Sequence, residues 1–345
     1  MNEKHKSAHR LILNIGIFSI IMALTFWSIF RNQDISEIGD AIQKMPKQYM
    51  IATIFLAIFF VSLEGCMIWY LLKGIGEHTT IFRCISYSFI GFFFSGITPS
   101  ATGGQPMQLY YMKRDGNTLS SASVVLMTVA VIYKFVLVLI GVGIVLFWNI
   151  SLKKYLEGYY GLYFLGLFLN TALVLILLLV MFSQGVIRVC FYKIEQFLIW
   201  IRVWKKTEKR KEKVEKFLLD YQGTVKFLQE HKKLITITIL VTFLQRFSVF
   251  FLPYIVYLGL GLSGTAMLDV ILLQASVYIA VDMLPIPGSQ GITEAMYQSI
   301  FKNIFSGPTL VISTCITRGI NFYFMMLLGL AAFCIASCKS RANIK

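Results

Sequence analysis

The sequence predicts an all-α polytopic membrane protein, with about six full spans plus two re-entrant broken helices in an inverted-repeat arrangement. Three observations predict it. Of the 345 residues, 57% are hydrophobic and 14% are charged, against about 25% charged in an average soluble domain; mean hydropathy is +0.70. The apolar residues gather in runs longer than the ~20 residues a helix needs to cross a hydrocarbon core about 30 Å thick. Two further runs are shorter, and each ends in a Pro/Gly-rich break.

Six segments are long enough to span: 11–30, 50–72, 119–149, 160–182, 234–261 and 310–337. The first, Leu11–Phe30, holds no charge. It is longer than a signal-peptide core and no small-residue cleavage site follows it, so it reads as a retained helix. Basic loops orient the rest. The region 188–233 carries thirteen Lys/Arg, the densest basic stretch, which places it in the cytoplasm. Lys4, Lys6 and Arg10 at one end, and Lys339, Arg341 and Lys345 at the other, place both termini there too. The stretches 73–118 and 262–309 then each begin and end on one side. Their apolar runs, 84–98 and 266–284, must enter and come back, either as re-entrant dips or as pairs of short full crossings. On this arrangement 23 of the 32 Lys/Arg are cytoplasmic, six external and three intramembrane. The chain then forms one transmembrane domain over 1–345, with half-repeats at about 11–182 and 234–338 and a cytoplasmic basic amphipathic insertion at 186–233.

The formal net charge of +15 sits in loops beside apolar spans. There it reports topology and attraction to anionic lipid rather than nucleic-acid binding. Within the insertion, Ile187, Phe191, Ile194, Phe197 or Leu198, Ile201 and Trp204 recur at helical spacing, as do Val214, Phe217, Leu218, Tyr221, Val225 and Leu228. Two amphipathic helices lying on the cytoplasmic leaflet are expected.

The two breaks resemble each other. One reads TPSATGGQP over 98–106, the other PIPGSQGITE over 285–294. Each is an apolar helix, a proline, a Gly-rich turn and a short amphipathic helix, one coming from each side. Interrupted apolar segments at matching places in two halves mark inverted-repeat transporters. Breaking a helix at membrane depth frees N–H and C=O groups that lipid cannot satisfy, so such a break must be buried in protein or line a wet cavity. The restarting helix would point free N–H groups into that cavity and attract an anion, with phosphate the expected guest.

Ionisable residues at membrane depth point to the same place. Each costs about 2.5–3.5 kcal/mol on insertion scales and is expected to line a cavity or find a partner. The chain has Glu64, Lys134, Arg246, Asp282, Glu294 and Arg318, with Asn321 one turn beyond Arg318. These charges either neutralise one another as structural pairs, or Lys134, Arg246 and Arg318 converge on the half-helix N-termini and hold an anionic head group. Glu294 would then complement its helix dipole or pair with a cation, and Asp282 would gate or pair.

No catalytic constellation emerges. His5, His9, His78 and His231 all fall outside the spans, leaving Ser289 without a base. No phosphate-binding loop or dinucleotide fingerprint is present. The six cysteines lack paired or metal-binding spacing. Neither cofactor nor metal is expected, and no nucleic acid.

At 98–111 and 284–295, and in the context of Arg318, the chain resembles the transmembrane flippase-domain family of lysylphosphatidylglycerol synthases, over residues 10–338. The resemblance implies translocation of an anionic or aminoacylated phospholipid between leaflets of the bacterial cell membrane. It also implies a site lined by Gly103, Gly104, Pro285, Gly288, Gly291, Glu294 and Arg318. With the residues of the two breaks and spans, the expected lipid-binding set is these seven together with Thr98, Pro99, Gln105, Lys134, Arg246, Asp282 and Asn321. The second motif reads Gly-Ser-Gln-Gly where the family more usually has Gly-Gly-Leu-Gly. Full-length relatives carry a cytosolic domain that transfers lysine from tRNA to lipid, and a stand-alone member without it is expected here. The expected partners are membrane phospholipids; a separate aminoacyl-lipid transferase and a second copy of the chain stay open. Two further readings stand beside translocation: a component of aminoacyl-phospholipid synthesis, and a non-transporting scaffold.

Overall fold

A computed structural model describes residues 43–98, 101–183 and 208–342, together with Gly39 and scattered positions between 185 and 196. The expected span 11–30, Pro99 and most of the first amphipathic stretch, 187–204, lie outside the described residues.

The described chain is helical throughout, with no strand among the described residues. In order the helices are α1 (Lys47–Gly74), α2 (Ile81–Ile97), α3 (Gly104–Arg114), α4 (Leu119–Phe147), α5 (Asn149–Tyr155), α6 (Tyr160–Phe182) and α7 (Glu208–Glu230). Then follow α8 (Lys232–Gly259), α9 (Met267–Val281), α10 (Ile292–Phe301), α11 (Pro308–Arg318) and α12 (Met325–Ala342). A π-helical turn, Gly319–Phe324, joins α11 to α12. Together these three make one 31-residue span, Pro308–Cys338. With α1, α4, α6 and α8 it completes five helices long and apolar enough to cross a membrane. The protein is an all-α polytopic membrane protein. The two runs read as dips form the short helices α2 and α9.

Helix starts follow local chemistry. Thr118 caps α4, its hydroxyl accepting from the Ser121 N–H at 3.3 Å. Pro308 begins α11, where a missing N–H costs nothing. In α8, Pro253 is accommodated without ending the helix.

Long antiparallel contacts set the relative heights of the helices. α1 runs along α8, with Gly74 against Leu234 at one end and Gly259 against Met45 at the other. Between these, the Gln245 Nε2 donates to the Phe60 carbonyl at 3.0 Å. α2 lies between α1 and α12: a Cβ added at Gly65 would stand 2.5 Å from the Ile85 Cα, and Gly329 abuts Phe89 and Phe93. α3 folds back along α2 and reaches the far end of α12, where the Tyr111 and Ser337 hydroxyls bond at 3.0 Å.

The amphipathic helix α7 forms where expected but does not spread its apolar stripe on a lipid surface. Val214, Leu218, Tyr221, Val225 and Leu228 are buried in one cluster with Val124, Val125 and Val129 of α4 and Met181 of α6. The Tyr221 hydroxyl donates to the Met127 sulfur at 3.0 Å, and burial pushes the phenol up to about 12. The stripe finds protein rather than lipid because α4 presents an equally apolar face beside it.

Gly65 supplies a test of the α1–α2 contact, since its neighbour is backbone and cannot swing away. Gly65→Val is expected to lower thermal stability in detergent by roughly 1–3 kcal/mol. Gly143→Val on α4, where a Cβ meets nothing within 4 Å, serves as the matched control and should leave melting unchanged.

Candidate lipid site at the two helix interruptions

Both interruptions lie level with the middle of the last span. Where α2 ends, Gly96 abuts Met326, just beyond the π-helical turn. The second break runs from Asp282 to Gly291, and its short turn, Pro287–Ser289, packs against α2. Gly288 there is in left-handed geometry, φ 58°, and touches the Phe322 ring closely enough to leave no room for a Cβ. Gly291 follows at φ 79°. Only glycine takes such conformations without strain, so the chain reverses in very few residues.

Each break supplies some partners for its own backbone. In the first, the Thr98 hydroxyl donates to the Phe94 carbonyl at 2.7 Å and accepts from the Gly103 N–H at 2.8 Å. Gly104 is buried against Ser95 and Gly91 of α2. In the second, the Gly291 N–H donates to the Glu294 carboxylate at 2.8 Å, and the Ser289 hydroxyl to the Val281 carbonyl at 2.8 Å. At each restart the N–H of the residue preceding the helix is thus bonded by a side chain of the same break, Thr98 before α3 and Glu294 from the first turn of α10.

The ionisable side chains gather at the same height. Lys134 is the sixteenth of the 29 residues of α4, and Arg246 the fifteenth of the 28 of α8. The Lys134 ammonium donates to the Asp282 carboxylate at the end of α9 and lies 3.4 Å from the Met283 sulfur. Arg318 donates through Nε to Glu294 at 2.7 Å and through a terminal nitrogen to the Gly288 carbonyl at 3.3 Å. Its guanidinium also covers the Phe322 ring at 4.6 Å. Two of the three cations are therefore paired with carboxylates, as the structural reading of these charges requires. They do not converge together on the half-helix N-termini: Arg318 reaches one, and Lys134 sits at the opposite end of its broken helix.

Arg246 differs. It is fully buried, and none of its three guanidinium nitrogens has a hydrogen-bond partner among the described residues. It stacks instead over the Tyr133 ring at 3.3 Å, with Phe60 at 5.3 Å. A desolvated cation over an aromatic face gains about 2 kcal/mol. Asn321 donates to the Tyr278 hydroxyl at 2.5 Å, and Tyr278 stands within electrostatic reach of Arg318, Arg246 and Asp282. Gln105 and Pro285 are exposed. Lys134, Asp282, Tyr133 and Tyr278 are half-buried, so this polar set opens on one side of the bundle.

The residues that sequence reasoning did not single out are Tyr133, Tyr278, Phe322 and Gln108. The first two link the paired charges to Arg246; Phe322 fills the space over Gly288. Only adjacency to Lys134 marks Tyr133 in the sequence, and nothing marks the others.

Five apolar spans and two interrupted short helices that meet beside buried ion pairs define a multi-pass helical membrane protein with a polar centre. The chain belongs to the family described as "Lysylphosphatidylglycerol synthase TM region", which it matches over residues 11–329. It is also similar to a curated relative, the UPF0104 membrane protein PH1989 of Pyrococcus horikoshii. The two are 25% identical over 338 residues, which make up 92% of this chain and 94% of the relative.

The Arg318–Glu294 pair can be tested by a double-mutant cycle. Arg318→Gln and Glu294→Gln should each cost about 3–5 kcal/mol, because either leaves a buried charge alone. The double variant should recover part of that loss in thermal unfolding. Additive losses would mean the two side chains are not coupled.

Proposed function

We propose that the chain moves a phospholipid with an anionic or aminoacylated head group between the two leaflets. The head group passes along the polar side of the bundle while the acyl tails stay in lipid. The observation that carries this reading is the half-buried Lys134–Asp282 pair, at mid-span and beside the second break, with the Arg246 charge behind it. Such charges are retained at membrane depth where they line a pathway.

The pair offers both signs side by side. A phosphate can displace Asp282 on Lys134, and an ammonium can displace Lys134 on Asp282. A head group carrying both groups exchanges with the pair without leaving either charge bare, which suits an aminoacylated lipid better than a purely anionic one. Family membership supports the same substrate class. The opposed breaks, related as an inverted repeat, would let the bundle open alternately to each side. The basic loops support cytoplasmic termini in a cell membrane. A scaffold would use the same ion pairs for stability alone, so replacement of the charges separates the two readings.

In proteoliposomes, the purified protein should accelerate leaflet exchange of a short-chain fluorescent lysylphosphatidylglycerol well above empty vesicles. Lys134→Met with Asp282→Leu removes the pair without stranding either charge, and should reduce exchange at least about tenfold while the protein still folds. Unchanged exchange in that double variant would assign the pair to structure and reject the pathway.

A further inference from the structure

Of the carboxylates at mid-span, Glu64 has a different kind of partner. Asp282 is bound by an ammonium, and Glu294 by a guanidinium and a backbone N–H. Glu64 on α1 accepts instead from the neutral Gln108 amide at 2.6 Å. Arg246 lies within electrostatic reach, yet its nitrogens do not bond the carboxylate. Protonating Asp282 or Glu294 would break a direct ion pair. Protonating Glu64 breaks none.

Gln108 suits both states of its partner. Its amide NH2 donates to a carboxylate, and a half-turn of the amide presents the C=O to a carboxylic O–H. Lysine and arginine can only donate. Gln108 belongs to α3, the helix that restarts after the first break, and its side chain presses on Gly91 of α2 so closely that a Cβ there would stand 2.5 Å away. The proton state of Glu64 is therefore felt by the interrupted helix itself. The other groups facing Glu64 are Arg246 from α8 and Tyr133 from α4. Tyr323 of the π-helical turn is engaged with Glu294 and Arg318 instead. Glu64 keeps part of its surface uncovered by protein.

We propose that Glu64, read through Gln108, is a proton-binding site that couples lipid movement to a proton gradient. This rests on the translocation reading above. A proton from the aqueous phase adds to the Glu64 carboxylate and removes a counter-charge from Arg246. The centre becomes net positive and holds a head-group phosphate more tightly. By reciprocity, a bound phosphate favours the proton. When the phosphate leaves on the far side, the proton leaves with it, and no other co-reactant is needed.

The test uses proteoliposomes with a fluorescent phosphatidylglycerol and an imposed pH difference of one unit. One proton per lipid sets a limit of about tenfold on the leaflet ratio. Several-fold accumulation in the leaflet facing the alkaline side is expected. Glu64→Gln should still exchange lipid without a gradient, at a rate that no longer follows pH, but show no accumulation with one, and Glu64→Asp should restore accumulation. Wild-type exchange with no accumulation, accumulation toward the acidic side, or accumulation by Glu64→Gln overturns the coupling while leaving translocation intact. No exchange under any condition is instead a failure of translocation itself and removes the coupling with it. Should Glu64→Gln not survive purification, trapped pyranine decides for the wild type: lipid-dependent proton entry supports the site, and its absence overturns it.

Discussion

A charged group in the middle of a bilayer must find an opposite charge, water or an aromatic face, and that requirement ties this bundle together. Lys134 holds the end of α9 through Asp282. Arg318 holds the start of α10 through Glu294 and the intervening turn through the Gly288 carbonyl. Arg246 sits against Tyr133 and Phe60, joining α8 to α4 and α1. Six ionisable residues from separate elements thus meet at one height. If hydrophobic burial were the only need, none of them would be there, since lipid tails are as apolar as the helix faces.

The interruptions obey the same requirement at the level of the backbone. A helix that stops inside a membrane must give its exposed N–H groups partners. Thr98 supplies one for α3, and Glu294 one for α10. Because Glu294 also binds Arg318, the second break is fixed by charge as well as by hydrogen bonding. The first break is held by close backbone packing, with Gly104 against α2. The two breaks are alike in outline and different in how firmly they are fastened. The α2–α3 hairpin has no ion pair at its break comparable to Arg318–Glu294 among the described residues.

Much of this was legible in the sequence. Apolar length located the described spans to within a few residues, and the Pro/Gly clusters located both interruptions. Insertion cost alone singled out Glu64, Lys134, Arg246, Asp282, Glu294 and Arg318. What the sequence did not contain was pairing. Lys134 and Asp282 lie 148 residues apart, and no local periodicity relates them. Tyr133 and Tyr278 look like ordinary apolar positions until the helices are assembled. The α7 stripe was readable as amphipathic, but its partner was not: α4 and a lipid surface present the same chemistry to Val214 and Leu218. At the second break Glu294 lies three residues after Gly291 and reaches back to its N–H, a local bond that the expectation of an open terminus did not include.

A head-group pathway requires water to reach the second break at the middle of the membrane. Thiol chemistry reads this directly. In a background with all six native cysteines replaced, Met283→Cys beside Lys134 would be exposed to a small, charged, membrane-impermeant thiosulfonate in intact vesicles. Rapid modification is expected at Met283→Cys, and little at Val281→Cys, which faces the buried core. Equal inertness of the two positions would mean that the break is sealed in protein or lipid, and the polar centre would then be no pathway.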